Sequence, residues 1–333
     1  MPDHTAEHLP THCRICASAA IRVFYAREMM FGTREVFQYF ECTECGCVQI
    51  LSYPDDIARQ YPKEYYCGVA DRTDRGATKL DIVKDRLKSL LLQIPPVRAA
   101  WLRSSATKAW LKGKPLMQHY LDALDNPSAR ILDVGCGEGL YIQHLRMLGF
   151  RNAEGVDPFI AESLTYRGRL LVTKGGLADM RGQYDCISFH HSLEHMPDQA
   201  EVLRRAKNML SPDGVLLIRI PIAGTAAWCT YKQDWVQLDP PRHYYCHSKR
   251  SLGLLSKQCG LHVRSMVCDS EGFQFWASEL YVRDVPLTDP RSPRMGSRTI
   301  FTDEDLDGFD RRAADLNRKG EGDQIVAILA AAK

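Results

Sequence analysis

The chain has no surplus of charge, no long apolar run and no leader-like start, and each absence narrows what it can do. Forty-three lysines and arginines against forty-one acids leave a net charge of +2 over 333 residues. A field that small does not draw the whole chain to nucleic acid or to an anionic membrane, although a local basic patch is compatible with it. No apolar stretch approaches the roughly eighteen residues that a membrane span needs. The opening MPDHTAEHLPTH lacks the basic-then-apolar pattern of a signal peptide, so a soluble, cytoplasmic protein is expected. The metalloprotease pattern HExxH is missing too. With 45% hydrophobic residues, one main domain with appendages is expected.

Cysteine is plentiful, with twelve in the chain and five of them between positions 13 and 47. Without a secretion signal this density argues for metal over disulfides. Cys13 and Cys16 form one CxxC, and Cys42 and Cys45 form a second after twenty-five intervening residues. Two such knuckles supply four thiolates for a tetrahedral Zn²⁺, and Gly46 eases the second turn. VFYAREM and EVFQYFECT read as short strands, which makes a zinc ribbon the natural form. No ligand position is left for water, so the zinc is structural. Cys47 is the spare and His12 a substitute ligand; reduced thiols without metal are the alternative.

The stretch YPDDIARQYPKEYYCG that follows carries four tyrosines. They either cover a pocket or pack the ribbon onto the next domain, and packing is the simpler reading. Residues 69–78 are polar and aperiodic, hence a linker. Leu80 to Leu124 is helical in pattern, broken at Pro95 and Pro96, and its apolar stripe suggests two or three helices lying on the next domain. The divisions expected are a ribbon at 1–68, linker and lid helices at 69–125, and an α/β domain at 126–333, with ribbon and domain as separate cores.

ARILDVGCGEGLYIQHLRMLGF joins an apolar strand to a glycine-rich turn and an amphipathic helix. Glycines let a ligand touch the backbone where the helix presents unpaired N–H groups. A second strand, AEGVDP, ends in Asp157, twenty-two residues after Gly135, where a carboxylate can hold two ribose hydroxyls. LLVTKGGLADM, YDCISFHH and VLLIRIP supply the third to fifth strands, with a helix at Ala200 to Leu210 and the turn SPDG before the fifth. LHVRSMVCD reads as the sixth strand. QIVAILAAA is expected as an antiparallel strand beside the fifth, after an insertion at 273–322 with a helix near 302–318. A C-terminal helix is its alternative reading.

The DVGCGEG loop, the GVD strand end and FHHSLEHMPD followed by LSPDGVLLIRIP resemble the class I S-adenosylmethionine-dependent methyltransferases. The resemblance implies a Rossmann-like seven-stranded methyltransferase sheet with helices on both faces. It implies that Asp133, Gly135 and Gly137 hold the methionine end of S-adenosylmethionine, Asp157 the ribose and Leu177 the adenine, with His190 beside the methionine moiety. With the ribbon in front and WVQLDPPRHYYCHSKRSLGLLSKQCGLHV behind, the layout resembles zinc-ribbon methyltransferases of bacterial sugar, surface-glycan and natural-product pathways.

In HSLEH, His191, Glu194 and His195 fall at i, i+3 and i+4. The stretch is similar to the ExxEH of ubiquinone-pathway O-methyltransferases, which can help hold a divalent cation; here His191 replaces the first acid, which suits a softer ion better than Mg²⁺. Methyl transfer to a hydroxyl needs a proton acceptor. His195 and His243 are the first candidates and His191 the third; capping of the SKRSL helix is the other reading of His243. No [DN]PPY follows the fourth strand, which argues against methylation of exocyclic base nitrogens. The function expected is O-methylation of a sugar or other small-molecule acceptor. An RNA methyltransferase with a zinc module and a non-catalytic interaction protein are the alternatives, the former disfavoured by the even charge.

Overall fold

The structure, a computed structural model, describes residues 11–61 and 78–332. The linker expected at 69–78, apart from Thr78, and two of the four tyrosines, Tyr65 and Tyr66, lie outside the described residues.

Three short strands come first, β1 (Ile21–Arg27), β2 (Val36–Cys42) and β3 (Val48–Ile50). β1 and β2 pair antiparallel along their length, and β3 pairs with β2. Their aromatic and β-branched residues bury Tyr39, Phe40 and Val48 against the rest of the molecule.

Four helices follow: α1 (Lys79–Leu91), α2 (Pro95–Arg103), α3 (Ser105–Lys112) and α4 (Pro115–Ala123). The extra break falls at Ser104, whose hydroxyl accepts from the Thr107 N–H and so starts a new helix. Proline opens both α2 and α4, where its missing N–H costs nothing. The apolar stripe of α1 does not lie on the neighbouring domain as its pattern suggested: Leu80, Val83, Leu87 and Leu90 are exposed.

The α/β part runs β4 (Arg130–Val134), α5 (Leu140–Met147), β5 (Asn152–Asp157), β6 (Leu164–Tyr166), β7 (Arg169–Lys174) and β8 (Tyr184–His190). It continues with α6 (Gln199–Asn208), β9 (Leu210–Pro221), α7 (Ala226–Tyr231), β10 (Tyr245–Cys246), α8 (Lys249–Gln258) and β11 (Leu261–Cys268). α9 (Phe273–Val282), α10 (Asp303–Lys319) and β12 (Gln324–Ala331) complete it. The main sheet has the order β11-β12-β9-β8-β4-β5-β7-β6. Strands β7, β5, β4, β8 and β9 are parallel, and β12 lies antiparallel between β9 and β11. The eighth strand, beyond the seven expected, is β6, a three-residue arm folded onto β7 through Arg167 and Gly168. Both turn residues have positive φ (51° and 69°), the geometry of a tight two-residue hairpin.

Ribbon and α/β part are not separate cores. β10 pairs with β3, Tyr245 opposite Gln49 and Cys246 opposite Val48, and so becomes the fourth strand of the ribbon sheet. One apolar cluster runs from Cys13, Ile15 and Tyr39 through to Ile187, Phe189 and Ile218. Arg242 crosses the junction fully buried, donating to Glu28 Oε1 (2.8 Å), to both Asp239 oxygens (2.6 and 2.9 Å) and to the Gln60 carbonyl (3.2 Å). The sequence reading missed this because two residues of strand carry no periodic signal.

β12 buries Ile325, Val326 and Leu329 on a sheet covered on both faces, which explains its unalternating sequence. Burying three such side chains contributes roughly 5–9 kcal/mol, on the order of a whole domain's stability. Deleting the last ten residues should therefore yield insoluble protein, with β11 unpaired and one side of β9 exposed. Soluble, folded protein in a sedimentation and thermal-melt assay would contradict this placement of the stability.

Candidate functional site

The four sulfurs of Cys13, Cys16, Cys42 and Cys45 lie within 4.8 Å of one another, with Cys13–Cys45 at 3.6 Å and Cys16–Cys42 at 3.5 Å. A tetrahedron of Zn–S bonds of ~2.3 Å has edges of ~3.8 Å, so the cluster is already close to the size of a zinc cage. Gln49 Nε2 (3.0 Å) and the Ile15 N–H (3.4 Å) donate to Cys13 Sγ, which suits a thiolate. Cys47 stands outside the four, 3.9 Å from His247 Nδ1, and His12 is exposed beside Thr11.

The glycine loop after β4 turns on residues with positive φ, Gly135 at 72° and Gly137 at 54°. A Cβ on Gly135 would sit 2.5 Å from the Ser192 Cβ, so both conformation and space require glycine there. Asp157, at the end of β5, accepts from the Gly137 N–H (2.8 Å) and the Phe159 N–H (2.8 Å), and so holds the loop in shape. A cavity of about 480 Å³ opens at the carboxyl ends of these strands. It brings together Gly135, Gly137, Asp157, Leu177, His191 and His195. Behind Gly135, buried Asp133 accepts from Ser188 Oγ (2.8 Å), and its Oδ2 has no partner among the described residues. Burial pushes its carboxyl up to about 7, and the charge of Asp157 adds to the effect.

Of the other residues singled out, His190 and His243 do not line this cavity. His190 is buried and stacked on Tyr141 (ring centroids 4.1 Å apart), and burial holds its imidazole well below the usual range. His243 donates from Nδ1 to the Gln237 carbonyl (2.7 Å). His195 donates likewise to the Arg242 carbonyl (2.8 Å), and burial, with His243 alongside, lowers it to about 4. Neutral and weakly basic, His195 is a poor proton acceptor at neutral pH. One donor atom each from Glu194, His195 and His243 lie within 4.8 Å of one another.

His191 differs from all of these. Its φ of 49° is uncommon for a residue with a side chain and marks a position held by its surroundings. Arg219 Nη1 donates to His191 Nε2 (3.2 Å), so Nδ1 carries the proton and donates to Glu194 Oε1 (3.2 Å). Burial alone would raise the Glu194 carboxyl, but the His191 hydrogen bond and the neighbouring histidines hold it down at about 2. An ionised carboxylate thus fixes the tautomer of an imidazole whose Nε2 keeps its lone pair.

His191 also lines a second cavity, of about 410 Å³, together with Tyr141, Arg219, Glu271, Gln274 and Asp323 among others. Arg219 is anchored by Asp269 (2.5 Å), while Gln274 Oε1 is buried without a partner among the described residues. Burial raises the Asp323 carboxyl to about 6. The sequence reading named none of these residues. Arg219 left a signal, the single charge within the apolar VLLIRIP; Tyr141 stands in α5 behind the glycine loop, Glu271 and Gln274 lie at the start of α9, and Asp323 just precedes β12. Tyr61 was read as packing, yet it lines the first cavity and its hydroxyl is 3.0 Å from His195 Nδ1. Tyr53 does pack the ribbon on the core, its hydroxyl 2.7 Å from that of Tyr245.

Among described residues, no helix is long and apolar enough to cross a membrane. The profile of a methyltransferase domain matches residues 109–266. The ubiquinone biosynthesis O-methyltransferase of Neisseria meningitidis serogroup C is 30% identical over 133 residues, which are 35% of this chain and 54% of that protein. The protein of the same name from Pseudomonas aeruginosa is 25% identical over 187 residues, 50% of this chain and 79% of its own. The chain thus spans about half the length of the first of these relatives. A solved S-adenosylmethionine-dependent methyltransferase from Archaeoglobus fulgidus is 18% identical, covering 66% of this chain and 92% of its own, with a TM-score of 0.39, too loose a superposition to carry an argument. Residues 109–266 therefore form a methyltransferase domain, and over this part the chain is similar to curated O-methyltransferases.

Proposed function

We propose that the chain methylates a hydroxyl group of a small, polar, sugar-like acceptor held in the second cavity, with His191 as the proton acceptor. The observation that carries this reading is that His191, among the described residues, lines both cavities. S-adenosylmethionine, when bound, supplies a methyl group on a sulfonium, already a good leaving group. The chain's own residues have to position the acceptor and take its proton.

In this reading the Gly135–Gly137 backbone, Asp157 and Leu177 hold the cofactor, and Tyr61 and Phe159, stacked at 6.0 Å, cover it. Glu194 orients His191, and Arg219 occupies Nε2 until an acceptor hydroxyl replaces it as donor. The mixed lining of Arg219, Glu271, Gln274 and Asp323 suits hydroxyl groups, which both donate and accept. Leu116, Met117, Leu140 and Phe273 add apolar surface to the same lining. The O-methyltransferase names of the relatives fit this choice of atom. The second reading is a divalent ion on Glu194, His195 and His243, favoured by the closeness of their donor atoms. The ribbon cysteines we assign to one structural Zn²⁺.

Metal analysis separates these assignments: one zinc per chain is expected, and a second ion would support the alternative. Removing the zinc should lower the melting temperature of the protein in a single transition, because β3 and β10 share one sheet. Two separated transitions would indicate independent cores.

His191→Ala should lower kcat by roughly 10²- to 10⁴-fold while leaving S-adenosylhomocysteine affinity near wild type. Asp157→Ala should instead weaken that affinity by about 1.5–3 kcal/mol. Normal turnover in the first variant, or unchanged calorimetric affinity in the second, would remove the corresponding role.

Asp133 gives a pH test. Burial raises its carboxyl to about 7, so its ionised fraction grows as pH rises from 5.5 to 7.5, and a cationic cofactor prefers the ionised form. S-adenosylmethionine affinity should rise over that window and the slope should vanish in Asp133→Asn. A flat profile in the native protein would contradict it.

A further inference from the structure

The even net charge of the chain conceals a segregation. Residues 79–114 hold nine lysines and arginines against two aspartates, which leaves the rest of the chain net acidic. The same segment holds the exposed apolar stripe. Leu80, Val83, Leu87, Leu90 and Leu91 of α1 are 44–59% exposed. At ~100° per residue they fall within an arc of about 100°. Lys79 and Arg86 flank that arc on one side, Lys84 and Lys88 on the other. Ile94 and Val97, just beyond, extend the exposed apolar surface into α2.

The opposite face of α1 is what fastens it to the domain. Asp85 pairs with Arg167 of the β6–β7 turn (2.7 Å), Leu92 is buried, and Gln93 Nε2 donates to the Gly149 carbonyl (2.9 Å). Between α1 and that hairpin lies a hollow of about 250 Å³ whose lining includes Lys84, Lys88, Arg146, Arg167 and Arg169, with Asp85 the one acid among the described residues. It adjoins the C-terminal end of α5 and the start of β7.

We propose that α1 and the start of α2 form a docking surface for an anionic phospholipid bilayer, the apolar stripe entering the headgroup boundary and the basic hollow receiving a lipid phosphate. A helix with an apolar arc between two basic flanks lies in a membrane interface and is strengthened there by anionic lipid. Charge decides against the other occupants. A second copy packed on this stripe about a two-fold axis would set like basic flanks against each other. A nucleic acid would match the cations but would leave five apolar side chains against its phosphates.

The test is flotation of the full chain with vesicles. Binding to phosphatidylglycerol–phosphatidylcholine vesicles is expected, together with little binding to pure phosphatidylcholine and release by salt. Leu87→Glu should abolish flotation, and Lys84→Gln should weaken it about fivefold. Neither residue belongs to the cofactor or acceptor cavities, so both variants should keep the wild-type thermal shift with S-adenosylhomocysteine, which verifies their folding. No flotation of the native protein, or undiminished flotation of Leu87→Glu, overturns the proposal. A native dimer that Leu87→Glu converts to monomer, with no vesicle binding, would assign the face to a second copy instead.

Discussion

A single buried cation, Arg242, holds the molecule's two halves in register. Its guanidinium satisfies Glu28 of the ribbon, Asp239 of its own loop and the carbonyl of Gln60, just before the segment that leads into α1. Its backbone carbonyl then takes the Nδ1 proton of His195. Breaking a buried, hydrogen-bonded charge network of this kind costs about 3–5 kcal/mol, because the remaining charges stay in the interior unpaired. The arrangement also brings Tyr61 against the first cavity: the segment that reaches Arg242 through Gln60 delivers the next residue to His195. The ribbon therefore contributes to the wall of the site as well as to stability.

The chemistry at the junction of the two cavities rests on a conformation that the backbone does not adopt freely. The left-handed φ of His191 turns the chain away from β8 and aims the imidazole between the cavities, while His190, one residue earlier, stays in the strand and faces the core. Adjacent histidines thus have opposite environments. One is buried against Tyr141, and the other is gripped by Glu194 on one nitrogen and Arg219 on the other. The fixed tautomer follows from Arg219, which can only donate.

What the sequence made legible was local. The paired CxxC spacing, the glycine loop after an apolar strand and the helix near 302–318, which the structure starts with a capping box at Thr302 and Asp305, each contain their own cause within a few residues. The strand identity of Gln324 to Ala331 was readable because glycines precede it and β-branched residues lead it. What escaped depended on distant partners. β10 exists only because β3 offers an edge, and the second cavity is assembled from the start of α4, α5, β9, α9 and β12. The stripe of α1 was recognised, but an amphipathic pattern does not say which side of the helix meets protein. Arg219 and Asp323 are ordinary surface letters until the fold buries them.

The fourth strand of the ribbon sheet has a consequence for how such a protein can change. Because Tyr245 and Cys246 complete a sheet begun two hundred residues earlier, the ribbon is not a detachable module in front of a self-sufficient enzyme. A ribbon transplanted onto another methyltransferase would arrive with an unpaired β3 edge and an unpaired Glu28. This chain, stripped of its ribbon, would keep a buried arginine without its Glu28 and Gln60 partners. The two parts form one inherited unit, and the segment from Val236 to His247 is the seam along which substitutions on one side require answers on the other.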